Sequence, residues 1–203
     1  MGLVQSIAGQ FARPHGWAAR PMAVLLNVAN RGVNRATVAA LDLQPGEQVL
    51  DIGFGGGVGL REALGRVGGD GSVVGVELSP ELIQRGRTAL RRELAGGRLD
   101  LLEGTVDAIP VEDGRFAAAY TINTVYFWPD VERGLREILR VLGPGGRFVL
   151  AVQHRAMRGN QRYGGHETPP VERLEELMRT AGFVDVERQE PGYDAVLLLG
   201  RKP

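Results

Sequence analysis

Residues 49–60 read VLDIGFGGGVGL. An apolar run ends at Ile52, and five of the next seven positions, Gly53, Gly55, Gly56, Gly57 and Gly59, have no side chain. Glycine admits positive φ and lets a ligand approach backbone N–H groups closely. The amphipathic stretch Val58–Val67 follows at once. A strand, a bare loop and a helix make the opening unit of an α/β sheet, whose ligands bind beyond the carboxyl ends of the strands. The dinucleotide fingerprint G-x-G-x-x-G fails, because the sixth position counted from Gly53 is Val58. The phosphate-loop pattern fails too, since no lysine follows the glycines. The pattern present is D-x-G-x-G-x-G, from Asp51 through Gly53, Gly55 and Gly57. A carboxylate at the rim repels a pyrophosphate and attracts a cationic or hydroxyl-rich group, such as the ammonium of an amino acid.

Outward from this loop the chain alternates. SVVGVEL reads as a second strand, with Ser79 as N-cap and Pro80 at the first position of a helix to about Leu94. RLDLLEG and RFAAAYTI read as the third and fourth strands, Asp130 to Leu142 as an amphipathic helix, and GPGGRFVLAV as a turn and fifth strand. PPVERLEELMRTAG is a helix stopped at Gly182, and FVDVERQE with YDAVLLLG a final antiparallel pair. Such a pattern specifies a three-layer, Rossmann-like, doubly wound α/β fold with a mostly parallel seven-stranded sheet and an antiparallel C-terminal pair. Residues 1–41 form an N-terminal helical arm or lid, and 42–203 the main domain, one globular unit overall. Arg155 to Thr168 reads as a long irregular stretch.

Composition narrows the function. With 203 residues, no cysteine and a formal net charge of zero, the chain suits one soluble domain without disulfides or thiolate metal sites. Balanced charge gives no field for nucleic acid or a membrane surface. Lys202 is the only lysine, a bias that fits GC-rich bacterial coding. No secretory signal or membrane span is visible, so a cytoplasmic location is expected. The three histidines are far apart, so no metal is expected.

Glu77 closes the second strand, where a carboxylate can accept from two ribose hydroxyls. Leu78 can pack on an adenine face. An amino-acid end at the glycines and a ribose at Glu77 describe S-adenosylmethionine. At these residues the chain resembles the class I S-adenosylmethionine-dependent methyltransferases, in particular the small single-domain UbiE/menaquinone-type group. LDIGFGGG is similar to that family's first motif, VVGVELS to its ribose-binding strand end, GTVDAIPVEDGRF to its adenine-side segment, and VLGPGGRFVL to the turn into strand five. The resemblance implies cofactor contacts at Asp51, Gly53, Phe54, Gly55, Gly57, Glu77, Leu78, Thr105, Val106 and Asn123. It also implies that S-adenosylhomocysteine is the product. Thr105 stands where relatives often have an aspartate for the adenine amino group; Asp107 is the alternative acceptor. Simpler uses exist: Asp51 as an acceptor for loop amides, Glu77 as a helix-start acid, Thr105 as a turn residue.

The acceptor side is read from strand four, which ends in TINTVYFWPD, and from strand five, which ends at His154. His154 is the candidate general base, since an imidazole takes a proton near neutral pH. Tyr126 is the candidate to orient the acceptor or contact the methyl group, with Phe127 and Trp128 assigned to packing. His15 and His166 are weaker candidates for the base, and Arg155, Arg158 and Arg162 for holding an anionic substrate group. The expectation is methyl transfer to a small, partly apolar molecule, without metal, nucleic acid or membrane, by a monomer or homodimer. The alternative is a methyltransferase fold that binds the cofactor without transfer, as a cyclase or ligand-binding module.

Overall fold

Gln48–Ile52 forms β1, the central parallel strand that leads into the glycine loop. The computed structural model describes residues 31–153, 162–163, 166–167 and 169–203, and for the two short strands at 162–167 the backbone alone. Residues 1–30 of the expected arm lie outside the described residues, as do His15, His154, Arg155 and Arg158. Residues 31–40 form helix α1. After β1 come α2 (Val58–Val67), β2 (Ser72–Glu77), α3 (Pro80–Ala89), α4 (Arg91–Ala95), β3 (Leu99–Glu103) and β4 (Phe116–Ile122). A 3-10 turn (Val125–Phe127), α5 (Val131–Val141) and β5 (Leu142–Gln153) follow. The chain ends with β6 (Arg162–Tyr163), β7 (His166–Glu167), α6 (Val171–Ala181), β8 (Val184–Gly192) and β9 (Ala195–Arg201).

The main sheet has seven strands in the order β3-β2-β1-β4-β5-β9-β8. β1 to β5 are mutually parallel; β9 runs antiparallel to β5 and pairs with β8. Strand order reverses between β1 and β4, and a crevice opens beyond the carboxyl ends of strands at such a point. The inner strands β1, β2, β4, β5 and β9 are buried on both faces because alternate residues enter different cores. Leu50, Val74, Ala119 and Leu150 meet Leu135, Ile138, Leu174 and Met178 from α5 and α6. Val49, Val73, Ala118, Tyr120 and Val149 meet Val33, Leu60, Leu64 and Ile83 from α1, α2 and α3.

Three local readings change. The helix expected to run to Leu94 breaks at Leu90, which turns into the core; Arg61 Nη2 donates to the Ala89 carbonyl at 2.8 Å and satisfies it at the break. The GPGG segment is a bulged start of β5: Phe116 pairs with Leu142, then the register jumps to Ala118 with Arg147. Lys202 holds this bulge, donating through Nζ to the Leu142 carbonyl at 2.6 Å and through its backbone N–H to Gly146 O at 2.9 Å. Within the stretch read as irregular, β6 and β7 form a short antiparallel pair beside the 3-10 turn.

Phe54 fixes how the glycine loop sits on the sheet. Its ring is buried, and a Cβ on Gly75 would stand 2.7 Å from Phe54 Cδ1, one on Gly86 3.2 Å from Cε2. Missing side chains on β2 and α3 therefore form the slot that receives the ring. Gly75→Ala is predicted to destabilise the fold by about 1–3 kcal/mol through overpacking, measured by urea unfolding. Because the ring is the obstacle, the double variant with Phe54→Leu should lose less than the two single losses added together. Strict additivity would show that the ring is not what the new methyl meets.

Candidate cofactor-binding site

Glu77 organises the loop. Its Oε2 accepts from the Gly55 N–H at 3.1 Å, and its Oε1 from the N–H groups of Leu78 at 2.9 Å and Ser79 at 3.0 Å. One carboxylate thus joins the glycine loop to the end of β2 and the start of α3. Burial pushes its carboxyl up from the ordinary range, opposed by the three N–H donors, from Ser79, Gly55 and Leu78 in decreasing effect. Ser79 caps α3 by accepting from the Leu82 N–H. Leu78 presents 38% of its surface to solvent beside Glu77, an apolar face next to a carboxylate. Gly53 has φ +74° and donates to Val76 O at 2.7 Å; a Cβ there would stand 2.5 Å from Thr124 Cγ2. Glycine at this position is required by both its backbone conformation and the packing of Thr124.

Asp51 is not an open rim acid. It is buried, and Tyr120 Oη donates to its Oδ2 at 2.7 Å. Burial raises its pKa to about 7; the Tyr120 hydrogen bond lowers it, and the charge of Glu77 raises it. A Cβ on Gly59 would stand 2.9 Å from Asp51 Oδ2, 2.9 Å from Tyr120 Oη and 3.0 Å from Asn34 Oδ1. Gly59 therefore makes room for a polar cluster under the first turn of α2, rather than for a ligand.

The adenine-side segment is held from α5. Arg140 donates to the carbonyls of Val111 and Ile109, each at 2.9 Å, and Glu137 accepts from the Ile109 N–H at 2.8 Å. Thr105 is half-buried and bridges to Ala108, while Asp107 faces Arg133 at 3.6 Å. The side chain of Val106 is buried in the core near the Gly134 and Trp128 contact, leaving its backbone for the rim.

Asn123 adopts a left-handed conformation, φ +57°, at the end of β4. Its Nδ2 donates to Gln153 Oε1 at 2.8 Å, and its Oδ1 accepts from the Gln153 N–H at 3.1 Å and from Tyr126 Oη at 3.3 Å. Gln153 Nε2 donates in turn to Tyr193 O at 3.0 Å. The Tyr193 ring covers Gly32 of α1, where a Cβ would stand 2.3 Å from the ring. Trp128 donates through Nε1 to Thr124 Oγ1 at 3.0 Å; Thr124 and Thr121 hydroxyls bond each other, and Thr121 donates to Ile52 O at 2.8 Å. This chain binds the end of β4 to the end of β1.

The structure brings Asp51, the glycines, Glu77, Leu78 and Asn123 to one edge of the sheet. Two side chains point elsewhere than the sequence reading expected. Phe54 sends its ring into the core, since β2 and α3 leave a slot for it. Tyr126 is 3% exposed, buried among core side chains, with its hydroxyl bound to Asn123 and to the Gln153 N–H at 3.2 Å. Its ring packs as an anchor for the 3-10 turn instead of facing an open site. Tyr120, Gln153, Asn34 and Tyr193 were missed. Their roles depend on strand register and on contacts between distant segments; only Tyr120, a phenol directly after three alanines in a strand, left a signal. Among the described residues, no group of acids and histidines could hold a metal ion and no helix is long and apolar enough to cross a membrane.

Residues 50–150, about half of the chain, match the family of methyltransferase domains. The chain belongs to the class I S-adenosylmethionine-dependent methyltransferases. This methyltransferase domain is 29% identical to the demethylmenaquinone methyltransferase of Lactococcus lactis over 180 residues, 74% of this chain and 71% of that one. A solved S-adenosylmethionine-dependent methyltransferase from Aquifex aeolicus superposes with a TM-score of 0.72 at 18% identity, covering 98% of each chain. The cyclase SpnF superposes with a TM-score of 0.68 at 22% identity, covering 85% of this chain and 80% of that one. The methyltransferase domain spans 48% and 52% of the length of two further curated relatives it matches.

The charge on Asp51 predicts a pH effect. Its folded pKa lies above the unfolded value of 3.8, so its contribution to stability is full below about 3.8 and is lost as pH rises through about 7. Asp51→Asn should therefore stabilise the unliganded protein at about pH 8, by about 1–4 kcal/mol, and much less at about pH 4. Urea unfolding at the two pH values measures this. An equal effect at both would mean that Asp51 carries no buried charge.

Proposed function

We propose that this protein transfers a methyl group from S-adenosylmethionine to a small, partly apolar acceptor. The observation that carries the reading is the pair of buried carboxylates, Asp51 and Glu77, at adjoining strand ends on either side of the glycine loop. Among the described residues, the influences on Asp51 are burial, Tyr120 and Glu77, with no cation among them. Two acids whose burial raises their proton affinity, with Glu77 raising that of Asp51 further, suit a ligand that brings positive charge and hydroxyl donors. When bound, S-adenosylmethionine supplies a methyl group on a positively charged sulfur.

The chain's own residues divide the remaining tasks. Asp51 receives the ammonium of the amino-acid end, and Glu77 accepts from the ribose hydroxyls while still holding Gly55. Leu78 and the backbone at Val106 border the adenine, with Thr105 or Asp107 near its amino group. Gly53, Gly55 and Gly57 give backbone access, as does the main chain of Phe54. Asn123, locked by Gln153 and Tyr126, shapes the acceptor wall. An alignment error of about 1 Å can cost about a hundredfold in such a transfer, so a rigid wall here serves the rate. His154, directly after Gln153 in the sequence, is the candidate base for acceptors that carry a proton. The apolar composition of residues 3–11 and 22–41 supports a partly apolar acceptor. Proton removal needs no metal here if the acceptor is a hydroxyl or amine near a base.

Calorimetry with S-adenosylmethionine, S-adenosylhomocysteine and NADH tests the cofactor. Both adenosyl ligands should bind, and binding of NADH alone would overturn the reading. Glu77→Ala should weaken adenosyl binding by about 1.5–3 kcal/mol. A panel of small acceptors, scored by S-adenosylhomocysteine formed, separates transfer from binding alone: cofactor that binds but is never consumed favours the cyclase or ligand-binding alternative. Once an acceptor is known, His154→Ala should lower turnover by about 10²–10⁴ with cofactor affinity kept. A variant at wild-type turnover would remove His154 as the base.

A further inference from the structure

Asp51 and Tyr120 are register partners in the parallel β1–β4 pair, so their side chains leave the same face of the sheet. That face is covered by α1 and α2, and Tyr120 is fully buried. The hydroxyl therefore has one place to go, and it ends 2.7 Å from Asp51 Oδ2. A side chain on Gly59 would collide with both groups and with Asn34 Oδ1. Register, burial and a missing Cβ on a third element thus converge on the orientation of one carboxylate. A merely hydrophobic core position would not need the hydroxyl, since Phe fills the same space.

We propose that Tyr120 is a positioning residue for the cofactor: its hydroxyl holds the Asp51 carboxylate in the orientation in which it receives the ammonium of the amino-acid end. This rests on the cofactor reading above and adds a residue to it. Among the described residues, the charged and titratable groups around Asp51 are Tyr120 on β4 and Glu77 on β2. Glu62 on α2 acts on Tyr120, and Arg35 of α1 reaches toward Glu62 at 4.0 Å from an exposed position. Asn34 of α1 adds an uncharged amide. The Tyr120 hydrogen bond is the one interaction among these that favours the ionised acid directly; Glu77 opposes it.

The consequence is a pH-dependent affinity. An ammonium binds the ionised carboxylate, so affinity falls as pH drops below about 7, where Asp51 takes up a proton. Without the hydroxyl, Asp51 holds its proton to higher pH, and the acidic limb moves up by about one pH unit. At high pH the limb belongs to the ligand's own α-amino group and is shared by both proteins, so the variant's window narrows from the acidic side alone.

The test compares S-adenosylhomocysteine with 5′-methylthioadenosine, which keeps the adenosine and thioether but has no amino-acid end. Calorimetry from about pH 5.5 to 8 is run on wild type and Tyr120→Phe, with folding checked by thermal melting. The expected result is a loss of about tenfold or more for S-adenosylhomocysteine near pH 6.5, an upward shift of its acidic limb, and less than about twofold change for 5′-methylthioadenosine on the same tenfold-per-1.36 kcal/mol scale. Equal losses for both ligands would make Tyr120 a structural residue and overturn the inference, as would an unmoved limb. If wild type binds neither ligand, the cofactor reading itself falls. If Tyr120→Phe does not fold, global 3-fluorotyrosine labelling supplies a stronger donor of nearly the same shape. The limb should then move down in pH, and an unchanged limb overturns the proposal.

Discussion

One carboxylate holds three parts of the chain in register. Glu77 takes the N–H groups of Gly55, Leu78 and Ser79, so the glycine loop, the end of β2 and the start of α3 share one acceptor. Backbone donors at a loop and a helix start have no partner within their own element, and leaving them buried without one is costly. A charged acceptor supplies stronger bonds than a neutral one. The same burial that makes these bonds strong raises the energy of the charge itself. A ligand bringing hydroxyl donors to Glu77 relieves that penalty, and the feature that builds the loop also prepares it to bind.

Asp51 follows the same logic one strand away. Among the described residues, its charge is supported by the Tyr120 phenol and opposed by burial and by Glu77. The unliganded site is therefore a place of stored electrostatic cost, as binding sites tuned toward a cation often are. Gly59 and Gly75 show how the scaffold accommodates this: each omits a side chain so that another group, the Asp51–Tyr120–Asn34 cluster or the Phe54 ring, can occupy the space. Glycines in and after the loop thus do two kinds of work. Gly53 meets a backbone requirement at φ +74°, while Gly59 and Gly75 meet a volume requirement at ordinary φ.

The polar network at the ends of β4 and β5 is assembled from elements far apart in the chain. Asn123 from β4, Gln153 from β5 and Tyr193 from the β8–β9 hairpin form a connected polar chain that ends on Gly32 of α1. A residue held at positive φ by a two-sided amide pair is rigid, and rigidity is what alignment of a transfer demands. The short β6–β7 pair lies beside the 3-10 turn.

The sequence by itself determined the α/β alternation, the seven strands, the helix cap at Ser79 and the ligand class, because these rest on local period, capping chemistry and a contiguous motif. It placed Asp51, Glu77 and the glycines together for the same reason: each closes a strand or opens the loop after one. It could not decide which way a side chain turns once neighbours compete for space. Phe54 and Tyr126 looked available to a ligand, yet their rings are buried, since only the fold shows the Gly75–Gly86 slot and the core beside the 3-10 turn. Tyr120 and Gln153 became partners of Asp51 and Asn123 only through strand register and pairing, at sequence separations of 69 and 30 positions. Local sequence sets where a strand ends; the three-dimensional packing sets what each end can reach.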